Sequence, residues 1–373
     1  MLESPASPAL PWVVYGATGT TGRLVVTEAL RRGQRPILAG RDPTALRELA
    51  EPLGLEWAAV PLDHRAELEA LLRRSSRVLL AAGPFRSTTP PMLDACLATG
   101  TPYLDVSGEL DVLAATLARD ADARRAGIPI VAGAGFAVTA GDCLAAYVAR
   151  RRPGARQLRL GLNAQNDGQS TGALASRLDV LGGGGAWLEG GELRRGRAAH
   201  ARFRATIDGR TRVFVAAPLA DLVAAQRTGI PNVIAGVPAP PWLAPVLGWL
   251  MPLLVGLARL PAVRRFVERR ALRRRAPRAA AASAAPRRSF VWAEATDAQG
   301  TSAALLELGE GYRFAASALV RAAERLTEEP RAGAFTPAAA FGPDFVLELP
   351  GVSRRDLTPL EARELEVPAR VAV

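Results

Sequence analysis

The chain of 373 residues is 49% hydrophobic and 22% charged, a composition that is typical of folded proteins and excludes extensive disorder. Its length suffices for two domains at roughly 150 residues per domain. The net charge is +11 and all 47 basic residues are arginines, which excludes any mechanism that uses a lysine as a Schiff base, general base or proton donor.

Short apolar runs alternate with helical patterns over the first 140 residues. The apolar runs predict six strands, at 12–15, 36–40, 57–60, 78–82, 103–106 and 128–132. Asp42 and Pro43 predict the start of one helix, with Asp42 as its N-cap, and further helical patterns lie at 21–32, 65–74, 91–99 and 110–125. Strands that alternate with helices form a parallel sheet with helices on both faces. Residues 1–140 are therefore predicted to form a doubly wound α/β domain of the Rossmann type.

The pattern changes after this domain. Strand-like segments at 157–162, 200–207 and 212–216, joined by glycine-rich turns such as 182–185, predict an α+β domain with a mostly antiparallel sheet over 141–340. Residues 341–373 are predicted to form a C-terminal segment that packs back on the first domain.

An apolar segment at 242–258 precedes a dense run of arginines at 264–275. Pro245 and Pro252 interrupt the apolar segment and argue against a simple membrane span. Three interpretations remain for it: a buried or subunit-interface helix pair, a lid over a hydrophobic substrate, or a contact with a membrane surface.

A glycine-rich sequence joins the first strand to the helix that follows it. Gly16 permits a tight turn, Gly19 lets the backbone approach a pyrophosphate, and Gly22 lets the helix pack close to the sheet. The N–H groups at the start of the helix then face the phosphates. We therefore predict a dinucleotide site that includes Gly16, Thr18, Gly19, Thr20, Thr21 and Gly22.

The residue after the second strand distinguishes the two nicotinamide cofactors. An acidic residue there binds the ribose 2′-hydroxyl group of NAD, whereas the arginine found here, Arg41, suits a 2′-phosphate. Arg41 therefore predicts NADP(H) as the cofactor. The alternative is a surface role for Arg41 with Asp42 selecting NAD, which the predicted capping role of Asp42 disfavours. Asp63, at the end of the third strand, is expected either near the adenine or in a turn.

The fourth strand ends at a second part of the predicted site. Ligands of doubly wound sheets bind where the strand order reverses, so the residues after this strand are expected on the nicotinamide side. Phe85 either borders the nicotinamide ring or belongs to the core. The residues concerned are Ala82, Gly83, Pro84 and Phe85.

Several segments together resemble a known family, the saccharopine dehydrogenase-like oxidoreductases, and within it the trans-acting enoyl reductases of polyketide and lipid assembly. The resemblance extends over nearly the whole chain and implies NADPH-dependent reduction of a C=C bond in a hydrophobic acyl thioester. It rests on the glycine motif and on the segments 83–85, 95–109, 133–136, 142–143, 228–232, 311–312, 336–338 and 341–342.

The chain also departs from this family. Ala137 stands where the branch usually has an acidic residue, and Ala140 and Gly141 stand where it often has a proline before the later aspartate. True saccharopine dehydrogenases use a catalytic lysine, so the absence of lysine disfavours action on saccharopine itself.

Reduction of an activated C=C bond needs a proton donor and a group that stabilises the enolate charge. We predict Tyr103, Asp105 and Glu109 as catalytic residues, because they lie at the fifth strand and in the loop after it. Structural roles remain as alternatives: strand packing for Tyr103, and a helix cap or hydrogen bonding for the two carboxylates. Asp142 is expected to cap a helix at 143–150. Solvent or substrate is an alternative source of the proton.

Composition and charge also bear on partners and location. Two cysteines and two histidines, far apart, predict no metal site, and the N-terminus lacks the pattern of a signal peptide, which predicts a cytoplasmic protein. The positive charge suits an acidic acyl carrier protein, a polyketide synthase or a peripheral membrane contact. The arginines are spread along the chain, which argues against nucleic-acid binding. A homodimer is among the expected assemblies.

Two further functions remain open at this point. One is reduction of a C=N or C=O bond in a specialised metabolite with the same cofactor. The other is a non-catalytic NADP-binding protein at a lipid surface or in an assembly.

Overall fold

The structure, a computed structural model, describes residues 10–164, 184–196, 201–207, 209–240 and 289–357. The chain divides into two compact units. Unit 1 takes its described residues from Met1–Ser107, Val112–Gly135 and Ala315–Thr336, and unit 2 takes them from Gly108–Asp111, Phe136–Phe314 and Pro337–Val373. The apolar segment 242–258 and the arginine run lie outside the described residues.

Unit 1 contains a parallel sheet of seven strands in its described residues. Their order is β15-β6-β5-β4-β1-β2-β3, so the order reverses between β1 and β4. The six strands predicted from the first 140 residues and their doubly wound arrangement are confirmed. The strands are β1 (Trp12–Tyr15), β2 (Ile37–Gly40), β3 (Trp57–Ala59), β4 (Arg77–Leu80), β5 (Tyr103–Asp105), β6 (Pro129–Val131) and β15 (Gly333–Phe335).

Helices alternate with these strands. Asp42 caps α2, because its carboxylate accepts the N–H group of Ala45 at 3.1 Å, as predicted. Two of the predicted helices differ in the structure. The helix predicted at 91–99 already begins at Phe85, directly after Pro84, and the pattern at 110–125 forms two helices. The helices are α1 (Thr20–Arg31), α2 (Pro43–Ala50), α3 (Arg65–Arg73), α4 (Phe85–Thr99), α5 (Leu110–Leu117) and α6 (Asp120–Ala126).

Two interior strands of this sheet, β1 and β2, contain no charged residue. All four residues of β1 and all four of β2 are buried, since helices cover both faces of a parallel sheet. Their register aligns Tyr15 with Ala39 of β2 and with Leu80 of β4. The carboxyl ends of these three strands therefore meet at one edge, where the predicted site residues follow.

Unit 2 contains a mixed sheet in which β7 and β12 are parallel and the other paired strands are antiparallel. The strand order is β10-β11-β12-β7-β13-β14-β16, and β8 pairs with β12 and β9. The predicted mostly antiparallel sheet is thus confirmed. The strands are β7 (Gln157–Asn163), β8 (Gly185–Glu189), β9 (Glu192–Gly196), β10 (Arg202–Ile207), β11 (Arg210–Ala216), β12 (Asn232–Ala239), β13 (Ser289–Asp297), β14 (Gly300–Leu308) and β16 (Ser353–Leu357).

One face of this sheet carries stacked aromatic rings. The ring of Phe203 lies 5.2 Å from that of Phe214 and 5.9 Å from that of Trp292. Gly161 makes room for them, because a Cβ atom there would lie 2.7 Å from the Phe214 ring. The described helices are α7 (Phe136–Arg151), α8 (Asp221–Ala225), α9 (Gly311–Glu328), which continues into the residues of unit 1 from Ala315, and α10 (Pro337–Phe341).

The structure divides the chain differently from the predicted ranges 1–140, 141–340 and 341–373. Residues 315–336 return to unit 1, where Ala334 of β15 pairs with Ile130 of β6. The segment after residue 340 was expected to pack on the first domain, but its described part belongs to unit 2, where β16 pairs with β14. A three-residue strand far along the chain has too short a hydrophobic pattern to assign from sequence.

Among the described residues, no helix is long and apolar enough to cross a membrane.

Candidate cofactor-binding site

The turn after β1 depends on a glycine at its first position. Gly16 has a φ angle of +86°, and its N–H group donates to the carbonyl oxygen of Ala39 at 2.8 Å. A Cβ atom on Gly16 would lie 2.7 Å from the Cβ atom of Ala82. Only glycine satisfies both the backbone conformation and this close approach. The turn therefore brings the predicted phosphate loop into contact with the end of β4.

The start of α1 presents unbonded N–H groups next to this turn. Gly19 is the N-cap, and the first helical hydrogen bond runs from the N–H group of Arg23 to the carbonyl oxygen of Gly19 at 2.9 Å. The N–H groups of Thr20, Thr21 and Gly22 come before it and have no acceptor within the helix. The first turn contains no acidic residue. Such a helix start attracts an anion such as a pyrophosphate.

Arg41 and Asp63 lie at the adenosine end of the same edge. Arg41 follows β2 directly, and both side chains are exposed. Burial raises the pKa of the Tyr15 hydroxyl to about 12, while the Arg41 guanidinium lowers it and the Asp63 carboxylate raises it. Both charges therefore act at the end of β1. Within the part of the chain that the structure describes, Arg41 makes no ion pair, so its guanidinium is available to a phosphate.

The residues after β4 form the other side of the turn. Ala82 contacts Gly16 as described, and the Gly83–Pro84 peptide bond is cis. Pro84 is the N-cap of α4, and Phe85 is its first residue. The half-buried Phe85 ring packs against the core of unit 1. Gly83 and Pro84 are exposed beside it. Phe85 thus contributes to the core, and its contact with a nicotinamide ring stays a prediction.

Tyr103 and Asp105, predicted as catalytic, are in contact with each other inside unit 1. The Tyr103 hydroxyl donates to Asp105 Oδ2 at 2.6 Å. Asp105 Oδ1 accepts the N–H group of Ser107 at 3.0 Å, its hydroxyl at 2.8 Å and the N–H group of Gly133 at 2.7 Å. Both side chains are fully buried. Burial raises the pKa of Asp105, against these hydrogen bonds, and holds the pKa of Tyr103 well above its ordinary value.

These features together fit a dinucleotide. The glycine turn is a cradle that a Cβ atom would fill, and the first N–H groups of α1 have no acceptor within the helix. Arg41 stands where a 2′-phosphate is bound in sheets of this topology. Residues 12–131 match the family described as "Saccharopine dehydrogenase NADP binding domain". Residues 12–131 form an NADP-binding domain of the saccharopine dehydrogenase type.

Curated relatives match parts of the chain. An Arabidopsis thaliana protein named as a saccharopine dehydrogenase-like oxidoreductase is 34% identical over 151 residues, which are 35% of this chain and 32% of the relative. A trans-acting enoyl reductase of Mycobacterium ulcerans is 37% identical over 105 residues, which are 26% of this chain and 25% of the relative. The chain thus spans between a quarter and a third of the length of these two relatives.

A solved structure resembles the chain over nearly its full length. The apo saccharopine dehydrogenase (L-Glu forming) of Saccharomyces cerevisiae covers 94% of this chain and 100% of its own, with a TM-score of 0.60 and 12% identity. At this identity the likeness concerns the fold alone.

Glu109, the third predicted catalytic residue, belongs to unit 2. Its half-buried carboxylate accepts the N–H group of Gly108 at 3.3 Å, and its backbone pairs with Leu219. The structure therefore brings Tyr103 and Asp105 together in the NADP-binding domain and places Glu109 in the other unit.

Asp142 differs from its predicted role as a helix cap. The helix α7 begins at Phe136, so Asp142 lies within it, and Asp142 Oδ2 accepts the N–H group of Ala338 at 2.7 Å. Valine, threonine and phenylalanine are weaker helix formers than alanine, so the sequence did not indicate a helix at Phe136–Thr139. Because these residues are nevertheless helical, the helix begins before Asp142.

Three contributors to the site were not predicted: Tyr15, Thr89 and Gly133. The Tyr15 hydroxyl donates to the carbonyl oxygen of Val60, and the Thr89 hydroxyl lies 3.3 Å from that of Tyr103. A signal exists for Gly133, because it directly follows the last predicted strand of the first domain. For metals, the described residues contain no group of three or more histidine, cysteine, aspartate or glutamate side chains that could bind an ion.

Proposed function

We propose that this chain is an NADPH-dependent oxidoreductase, and specifically a trans-acting enoyl reductase that reduces a C=C bond in a hydrophobic acyl thioester. The observation that carries the proposal is the glycine turn with Arg41 at the end of β2, inside an NADP-binding domain of the saccharopine dehydrogenase type. The identity with trans-acting enoyl reductases supports the choice of substrate class.

Different residues of this chain bind different parts of the cofactor. The N–H groups of Thr20, Thr21 and Gly22 hold the pyrophosphate, and Arg41 holds the 2′-phosphate. Bound NADPH supplies the hydride for the reaction. The loops after β4, β5 and β6 surround the nicotinamide side, since this edge lies beyond the point where the strand order reverses.

The proton must come from a group that can reach the substrate. Tyr103 and Asp105 are fully buried and bonded to each other, so neither is suited to that role in this conformation. Glu109 keeps a partly exposed carboxylate. Glu109 is therefore retained within this proposal as the predicted proton donor, with solvent or substrate as the alternative source.

The partners follow from the substrate class. An acyl thioester of this kind is delivered by an acyl carrier protein or a polyketide synthase, and such partners are typically acidic, which the net charge of +11 complements. Peripheral membrane contact, a cytoplasmic location and a homodimer belong to the same proposal. A C=N or C=O bond in a specialised metabolite is the second candidate substrate, and the same cofactor site serves it.

The test combines binding with turnover. NADPH and NADH are titrated into the full chain by fluorescence, and NADPH oxidation is then followed with 2-enoyl, imine and carbonyl compounds, the enoyl groups being presented as thioesters of coenzyme A and of a carrier protein. Tight NADPH binding with oxidation by enoyl thioesters supports the proposal. If only imines or carbonyl compounds cause oxidation of NADPH, enoyl thioesters are the wrong substrate class and reduction of a C=N or C=O bond takes their place.

Two further outcomes address the enzyme assignment itself. NADPH binding without turnover on any class favours the non-catalytic alternative. The absence of NADPH binding contradicts the proposal as a whole. With an active enoyl substrate, Glu109→Gln should lower kcat at least about tenfold with little change in NADPH affinity, and an unchanged kcat removes Glu109 as the proton donor.

A further inference from the structure

The buried carboxylate of Asp105 uses both of its oxygen atoms. Oδ2 accepts from the Tyr103 hydroxyl, and Oδ1 accepts from the N–H and hydroxyl groups of Ser107 and from the N–H group of Gly133, with distances between 2.6 and 3.0 Å. A buried charge is costly unless hydrogen bonds compensate it. Four donors directed at one carboxylate meet that requirement, and its complete burial separates it from a substrate.

These contacts join two successive loops and one helix. Ser107 lies in the loop after β5, and Gly133 lies in the loop after β6. Tyr103 also contacts Thr89 of α4, the helix that follows β4. The carboxylate of Asp105 therefore connects, directly or through one hydroxyl group, the segments that follow β4, β5 and β6.

The backbone reinforces the same connection. The N–H group of Ala134 donates to the carbonyl oxygen of Asp105 at 2.7 Å. Gly135 approaches the β5 loop so closely that a Cβ atom there would lie 2.8 Å from the carbonyl oxygen of Val106. The loops after β5 and β6 thus have one packed arrangement, and the carboxylate lies at its centre.

The position of these loops in the sheet indicates what they contact. The glycine turn follows β1, and Arg41, which is proposed to bind the 2′-phosphate, follows β2. Both strands lie on one side of the reversal in strand order. β4, β5 and β6 lie on the other side, where the nicotinamide half of a dinucleotide extends. The loops that hydrogen-bond directly to Asp105, those after β5 and β6, lie on this nicotinamide side.

We propose that Asp105 is a positioning residue that holds the loops after β5 and β6, and through Tyr103 the helix α4, in the arrangement required by the nicotinamide half of NADPH. The inference rests on the cofactor part of the proposed function. It differs from the sequence prediction, in which Asp105 and Tyr103 act on the substrate.

The test compares two ligands that share one half. Both NADPH and 2′,5′-ADP contain the adenosine 2′-phosphate, but 2′,5′-ADP lacks the nicotinamide. Asp105→Ala should weaken NADPH binding about tenfold or more, because several hydrogen bonds to a charged group are lost. The affinity for 2′,5′-ADP should stay within about twofold, since the hydrogen bonds described for the Asp105 carboxylate come from Tyr103, Ser107 and Gly133 and not from the loops after β1 and β2.

A conservative variant separates positioning from proton transfer. In Asp105→Asn the amide oxygen can still accept from Ser107 and Gly133, and the Tyr103 hydroxyl can turn to accept from the amide N–H group. NADPH affinity should therefore recover to within about threefold of the wild type. Asp120→Ala is the matched control. Its carboxylate also accepts a backbone N–H group, that of Ala334 in β15 at 2.8 Å, and both affinities should remain unchanged.

Each contrary result has a distinct meaning. Unchanged NADPH affinity in Asp105→Ala, or an equal loss for both ligands, overturns the positioning role. Asp105→Asn binding NADPH as poorly as Asp105→Ala also overturns it, because charge rather than hydrogen-bond geometry would then matter. If Asp105→Ala does not fold, Ser107→Ala decides by the same ratio of affinities. A wild-type chain that binds neither ligand contradicts the proposed function, and the inference with it.

Discussion

The carbonyl oxygen of Gly16 lies so close to Gly22 that no side chain fits between them. A Cβ atom on Gly22 would be 2.0 Å from that oxygen. The first turn of α1 is therefore packed directly on the turn that leaves β1, which places the free N–H groups of the helix beside the phosphate loop.

Gly22→Ala should consequently displace the start of α1 from the turn. We expect NADPH affinity to fall at least about tenfold, because the N–H groups no longer converge on the pyrophosphate. Fluorescence titration of the full chain measures the affinity, and circular dichroism checks folding. Gly309→Ala serves as the control, since a Cβ atom there has no neighbour within 4 Å. Full affinity in a folded Gly22→Ala variant would show that the turn does not bind phosphate.

Arg41→Ala should change the choice between the two nicotinamide cofactors. The guanidinium is exposed at the end of β2, and a charge-assisted hydrogen bond to a phosphate contributes roughly a tenfold to hundredfold gain in affinity. NADPH should weaken by that factor, whereas NADH should change by less than about twofold. Isothermal titration of both cofactors gives the ratio. Arg47→Ala, an exposed arginine in α2, is the control, and equal losses for the two cofactors would contradict the role of Arg41.

Asp42→Ala tests the competing view that Asp42 selects NAD. Because the carboxylate caps α2 through the N–H group of Ala45, we expect the free energy of unfolding to fall by about 1 kcal/mol. The ratio of NADPH to NADH affinity should stay as in the wild type. Urea unfolding and cofactor titration provide the two readings, and a changed cofactor ratio with unchanged stability would support the competing view.

The sequence predicted the sheet of unit 1 because its strands are apolar and its turns are marked by glycine and proline. The strand at residues 333–335 could not be assigned in this way, because three residues are too few to show a hydrophobic periodicity. The contact between Tyr103 and Asp105 had a usable signal, because residues two apart on a strand share one face. The pattern did not show that this face is buried. The two residues predicted as catalytic therefore form a buried hydrogen-bonded pair in the structure.

A second buried carboxylate lies in unit 2. Asp221 is 1% exposed, and neither of its oxygen atoms has a hydrogen-bond partner among the described residues. A Cβ atom on Gly141 of α7 would lie 1.7 Å from Asp221 Oδ1, so the carboxyl group rests on the helix backbone. Burial raises the pKa of Asp221 to about 7, and the Asp142 carboxylate on α7 adds to the increase.

This arrangement predicts a pH dependence of stability. The ordinary pKa of the group is 3.8, so between about pH 4 and pH 7 the folded chain binds a proton that the unfolded chain has released. The contribution of this group to the free energy of unfolding is therefore complete below the unfolded pKa. It is lost progressively as the pH rises from about 4 to the folded pKa of about 7, by up to about 4 kcal/mol in total. Asp221→Asn, which stays neutral, should remove most of this slope and unfold less readily than the wild type at pH 8. Urea unfolding at a series of pH values measures it, with the exposed Asp94→Asn as control, and a wild-type slope retained in Asp221→Asn would assign the pH dependence to other groups.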